Sequence, residues 1–141
     1  MTRLSSLIFR AVLVLLGFVN VLLGINLAFG GIQTLGWQGT TDFLTITKEY
    51  EFLIHDSHTR FFGGLYIGIG LYLIAATSNL EKYRMALALI FGITFLGGMT
   101  RLTIQRSDVV LGPDIIGSLA AELVLMPLLY FWMLRILKAR T

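Results

Sequence analysis

The chain has 141 residues, of which 56% are hydrophobic and 13% charged, with a formal net charge of +3. A soluble domain carries about a quarter charged residues, so that class is a poor fit, and the length suits one domain over residues 1–141. No cysteine is present, which excludes disulfides and thiolate metal sites; the basic residues flank apolar segments without forming one patch, which argues against nucleic acid and for a topology signal.

The first apolar segment runs from about Leu7 to Gly30. Arg3 and Arg10 give it a basic start, and Ala28-Phe29-Gly30 resembles a small-x-small cleavage site. Its apolar stretch exceeds a signal core, so it reads as a retained membrane helix. Asn20 and Asn26 are its polar interruptions.

The connection from Gly31 to Thr59 is the longest. Phe43, Ile46, Tyr50, Leu53 and Ile54 recur at helical spacing, which predicts an amphipathic helix lying on the membrane. Leu44, Ile46, Tyr50, Phe52 and Ile54 also fit a period of two, so a short strand pair is the competing expectation. Trp37 reads as an interface anchor.

Three further spans follow, giving expected helices at about 7–30, 58–78, 83–104 and 114–138. Asp56 or Ser57 is the expected cap of the second. That helix carries Gly64 and Gly68 in a GxxxG pair. On the third, Thr94, Gly97, Gly98 and Arg101 share a face. Small residues let helices approach closely in lipid, so Gly64, Gly68, Gly97 and Gly98 are expected at helix contacts, within the chain or across a homodimer. The fold expected is an all-α integral membrane four-helix bundle.

The fourth span holds the most informative residue. Glu122 lies eight residues past Asp114, about 12 Å along the helix. A carboxylate at such depth costs roughly 2.5–3.5 kcal/mol on insertion scales and calls for a partner or a task. Arg60 and Arg101 stand near helix ends on the same expected side. Pro127 follows one turn later, removes a backbone donor and predicts a kink. Gly112-Pro113-Asp114 ends a loop and starts a helix.

The basic residues set the orientation. Arg3, Arg10, Lys82, Arg84, Arg135, Lys138 and Arg140 fall on one side if four helices span, and the positive-inside rule then puts both termini in the cytoplasm. Asn26, Arg60, Arg101 and Glu122 are expected to converge in one cavity on the opposite side. Either Arg101 and Glu122 pair simply to dock two helices, or the cavity holds a lipophilic molecule with a polar head, such as a lipid or quinone-like ligand. A proton-coupled carrier acting as a dimer through Glu122 is one alternative. A lipid-modifying enzyme with His58 or Glu122 as base is another, weakened because no nucleophile motif is present. His55 and His58 share a helix face, but no third histidine exists to complete a metal site. No catalytic residue, metal or cofactor is assigned.

The run Asp56-Ser57-His58-Thr59-Arg60-Phe61-Phe62-Gly63-Gly64-Leu65-Tyr66, followed by Ile67-Gly68-Ile69-Gly70-Leu71, resembles the signature of an uncharacterised bacterial family, domain of unknown function 4345. Gly97, Gly98 and Arg101 match its Gly-Gly-x-x-Arg stretch. Gly112-Pro113 and Glu122 through Pro127 match its later motifs. The resemblance covers most of the chain from Asp56 onward and implies a small four-helix inner-membrane protein without implying an activity. By analogy with small membrane proteins that accompany quinone-linked redox enzymes, support of a membrane partner complex is a further expectation.

Overall fold

The computed structural model describes residues 2–34 and 45–139, with the side chains from Arg3 onward. It is 85% helical, and no strand occurs among the described residues. Helix α1 (Thr2–Gly30) is followed by a single tight 3-10 turn, Gly31–Thr34. Then come α2 (Glu49–Ala76), α3 (Arg84–Arg101) and the short α4 (Ser107–Val110). The last stretch is α5 (Pro113–Ala120), a π-helical turn (Ala121–Leu125) and α6 (Met126–Lys138). Among the described residues, four stretches are long and apolar enough to cross a bilayer: Arg3–Thr34, Glu49–Ala76, Arg84–Arg101 and Pro113–Lys138.

The second helix corrects the expected boundaries. It begins at Glu49, not near residue 58. Residues from Tyr50 to Ile54 therefore extend α2 and form neither a separate interfacial helix nor a strand pair. The physical reason is local. No glycine or proline interrupts Glu49 through Phe62, and Glu49 and Glu51 place negative charge in the first turn, where the helix dipole favours it. Asp56 consequently sits inside the helix and not at its cap. Trp37, Phe43 and Leu44 lie outside the described residues.

Contacts divide the chain into two compact units, Leu13–Ala75 and Met1–Val12 with Ala76–Thr141. In the first unit, α1 and α2 run antiparallel along a glycine seam. A Cβ on Gly24 would come within 2.7 Å of the Gly63 carbonyl oxygen, and one on Gly70 within 2.5 Å of the Gly17 carbonyl oxygen. Gly17 and Gly24 are seven residues apart, as are Gly63 and Gly70. Seven residues are close to two helical turns, so both contacts recur on one line of each helix.

Gly64 and Gly68 lie outside this seam: among the described residues nothing comes within 4 Å of an added Cβ at either, nor at Gly97. One residue of helix turns the face by about 100°, which separates Gly63 from Gly64. Gly98 does meet a neighbour: its Cβ would lie 2.7 Å from that of Glu122.

The second unit has a side-chain core. Phe9, Leu80, Leu87, Phe91, Leu129 and Met133 are buried there. Trp132 packs edge-on against Phe9 with ring centroids 5.4 Å apart, and its indole N–H donates to Ser5 Oγ at 2.8 Å. These contacts tie the first turns of α1 to α6. Large apolar side chains such as Leu15, Leu71, Leu96 and Phe131 remain exposed along the spans, as helices facing lipid require.

Candidate functional site

Each unit contains an ion pair with a largely buried carboxylate, Asp56 in one and Glu122 in the other. In the first, α1 stops where Gly31 adopts φ +64°. Glycine occupies that left-handed region without steric cost. The chain then passes so close to Asp56 that a Cβ at Gly31 would strike its carboxylate. Asp56 is 6% exposed. Its Oδ1 accepts the Ile32 N–H at 2.8 Å, and its Oδ2 accepts from Arg60 Nε at 2.6 Å.

Arg60 extends this arrangement. Its Nη1 donates to the carbonyls of Ala28 (3.2 Å) and Phe29 (2.8 Å). These are terminal carbonyls of α1, which lack helical partners and carry the negative end of the helix dipole. Asp56 and Arg60 are one turn apart on α2, so together they clasp the end of α1. Asn26 contributes its backbone carbonyl to Thr34 Oγ1 at 3.3 Å, while its side-chain oxygen is buried without a hydrogen-bond partner among the described residues. An Asp56→Ala substitution is expected to remove about 1–3 kcal/mol of stability by leaving the Ile32 N–H and the Arg60 Nε–H without their acceptor. Thermal unfolding in mild detergent measures this; an unchanged midpoint would show that the clasp contributes nothing.

In the second unit, Arg101 and Glu122 meet across α3 and the π-helical turn. Arg101 Nε donates to Glu122 Oε2 at 2.7 Å and Nη2 to Oε1 at 2.8 Å. This is the bidentate geometry that a guanidinium offers a carboxylate. The side chains are 37% and 14% exposed, respectively. Gly98, one turn before Arg101, leaves the space into which Glu122 fits.

The π-helical turn has a cause in the sequence. Pro127 carries no N–H for the Leu123 carbonyl and its ring crowds the preceding turn. The backbone answers with a wider turn, in which the Met126 N–H bonds to the Ala121 carbonyl five residues back. Such turns often accompany functional sites. The expected irregularity thus falls at residues 121–125 and includes Glu122 itself.

On the same helices lies an apolar groove of about 390 Å³, lined by residues including Phe91, Gly92, Phe95, Pro127, Tyr130 and Phe131. Phe95 is six residues from Arg101, about 9 Å along α3. Among the described residues, nothing lies within 4 Å of a Cβ on Gly92, so this glycine keeps part of the groove open. Neither the groove nor the Trp132–Ser5 contact was among the expectations. The aromatic residues at 91, 95, 130 and 131 were the available signal.

Of the residues expected in one cavity, Arg60 pairs with Asp56 within the first unit, which also holds Asn26, and Arg101 pairs with Glu122 within the second. His58 is exposed on α2, close in sequence to the clasp. Among the described residues, no group of three His, Asp or Glu side chains stands where it could hold a metal ion. A further close pair, Arg106 with Asp108, lies outside the spans and is solvent-exposed, with contacts of 2.9 and 2.6 Å. Hydrogen bonding from Arg106 holds the Asp108 carboxyl below its ordinary pKa, but exposed pairs of this kind add little stability.

The family model described as Domain of unknown function (DUF4345) matches residues 8–133. The chain belongs to this family. The match contains the two middle spans, most of the first and last, the Asp56–Arg60 and Arg101–Glu122 pairs and the groove. No curated protein and no solved structure matches the chain.

Proposed function

We propose that this family member is a non-catalytic membrane protein that holds a lipophilic molecule against α3 and α6, its polar head at Arg101 and Glu122 and its apolar part in the groove. The carrying observation is the combination of a bidentate, partly exposed guanidinium–carboxylate pair with an apolar groove on the same helices. A groove of this size falls within the range of small-molecule sites, which combine apolar linings with few polar groups. Both Glu122 oxygens accept from Arg101, an arrangement suited to orienting a head group and less suited to a proton carrier. Arg60 is engaged with Asp56 and the end of α1, so the proposed site rests on Arg101 and Glu122 alone. A lipid or a quinone-like molecule has the required character.

The proposal includes an inner-membrane location with both termini in the cytoplasm, supported by Arg3, Arg10, Lys82, Arg84, Arg135 and Lys138 flanking the corresponding span ends. It is tested by native mass spectrometry of the protein purified in mild detergent. The wild type is expected to carry a co-purifying amphiphile. Gly92→Leu, which fills the groove, is expected to lose it without a lower melting midpoint. A wild type with no bound species, or equal retention in the Gly92→Leu variant, would count against the proposal.

A further inference from the structure

A second pocket lies in the same unit, away from the groove. It has a volume of about 330 Å³ and is lined by Glu81, Arg84, Leu134, Leu137 and Lys138. The turn that forms one wall is fixed by Asn79, whose side-chain oxygen accepts the Lys82 N–H at 3.0 Å and whose carbonyl accepts the Tyr83 N–H at 3.2 Å. This turn brings Arg84, the first residue of α3, to the pocket that Lys138, the last residue of α6, also lines. The other lining residues from α6 are leucines. The site therefore combines two cations with an apolar wall at the end of a membrane span.

The same unit also carries Arg3 and Arg10 on α1, Lys82 in the turn beside Glu81, and Arg135 on α6, next in sequence to the lining Leu134. Glu81 is the opposing carboxylate at the pocket, and its contact with Arg84 is long, at 3.5 Å, between side chains 62% and 49% exposed. An exposed pair of that length is readily exchanged for a better acceptor. The first turn of α3 has no acidic residue and no side-chain cap, so its dipole adds to a field that the side chains already set.

We propose that this pocket binds the phosphate head group of an anionic phospholipid, with Arg84 and Lys138 on the phosphate and an acyl chain along Leu134 and Leu137. Basic pockets between helices at a membrane surface are suited to such head groups. The match is one of charge and of position: phosphate meets cations at the span end, and the acyl chain meets leucines within it. The proposal shares no residue with the amphiphile site described above and stands or falls separately.

The test titrates the detergent-purified chain with phosphatidylglycerol and, in parallel, with phosphatidylcholine, and reads bound lipid by native mass spectrometry. The wild type is expected to retain phosphatidylglycerol in clear preference. The double variant Arg84→Gln/Lys138→Gln is expected to bind it about 10- to 30-fold more weakly. Lys48→Gln/Arg106→Gln removes the same charge from exposed residues outside the pocket and is expected to leave binding unchanged. Glu81→Gln removes the opposing carboxylate and is expected to strengthen it. Equal retention of the two lipids, an unaffected Arg84/Lys138 variant, an equal loss in the Lys48/Arg106 variant, or unaltered binding in Glu81→Gln would each overturn the proposal. The last measurement remains decisive if the double variant does not fold.

Discussion

Glu122→Leu is expected to lower stability by roughly 2–4 kcal/mol, one of the two largest single-residue effects in this chain. The substitution removes both acceptors of the bidentate pair and leaves Arg101 facing the helix contact without its counter-charge. Losing one partner of a fully buried pair costs about 3–5 kcal/mol. Here Arg101 retains 37% exposure, which lets part of its charge find other solvation and reduces the loss. The informative comparison is Arg101→Met combined with Glu122→Leu. Removing both charges leaves no unpaired ion, so the double variant is expected to regain most of the stability lost in Glu122→Leu. Unfolding midpoints in detergent for the two single variants and the double variant complete a mutant cycle. Additive losses would mean that the pair does not couple α3 to the last span.

Gly63→Ala is expected to be comparably damaging, while Gly64→Ala is expected to be neutral or stabilising. A Cβ at Gly63 would lie 2.7 Å from Ala28 Cα and 2.8 Å from the Gly24 carbonyl oxygen, and it would also strike the Ala28 nitrogen. These are backbone atoms of α1. They cannot turn aside as a side chain can, so the two helices must separate. Overpacking of this kind costs about 1–3 kcal/mol and sometimes more. Among the described residues, the added Cβ at Gly64 meets nothing within 4 Å, and alanine is a better helix former than glycine by about 1 kcal/mol. The same unfolding assay ranks the two variants. If Gly64→Ala proved the more damaging, that glycine would lie against something outside the chain, as a GxxxG homodimer requires.

These expectations mark where the sequence was informative. Four apolar segments with basic flanks were legible because bilayer thickness demands about 20 apolar residues per helix. The acid inside the last segment was equally legible, since lipid gives an isolated carboxylate no solvation. Arg60 and Arg101 as its candidate partners followed from their proximity to span ends. Pro127 announced an irregular helix, although it did not say that a π-helical turn would absorb the irregularity.

Other features were closed to sequence reasoning. Gly63 and Gly64 are chemically identical neighbours, and only the rotation of α2 against α1 decides which one lies in the contact. Asp56 resembled a helix cap because Asp is favoured there. It became an interior residue when α2 extended back to Glu49. Its partners, the Ile32 N–H and Arg60, come from a turn distant in sequence and from the next turn of its own helix.

The sequence by itself determined an all-α membrane chain with four spans and a carboxylate that requires a cation, because burying apolar length and avoiding an unpaired charge are demands that single residues state. The tertiary structure alone decided which glycines touch, which arginine caps α1 and which answers Glu122, and where grooves remain between helices. Those outcomes depend on helix rotation and register, to which one residue contributes about 100° and 1.5 Å, and on close packing that distinguishes otherwise equivalent residues.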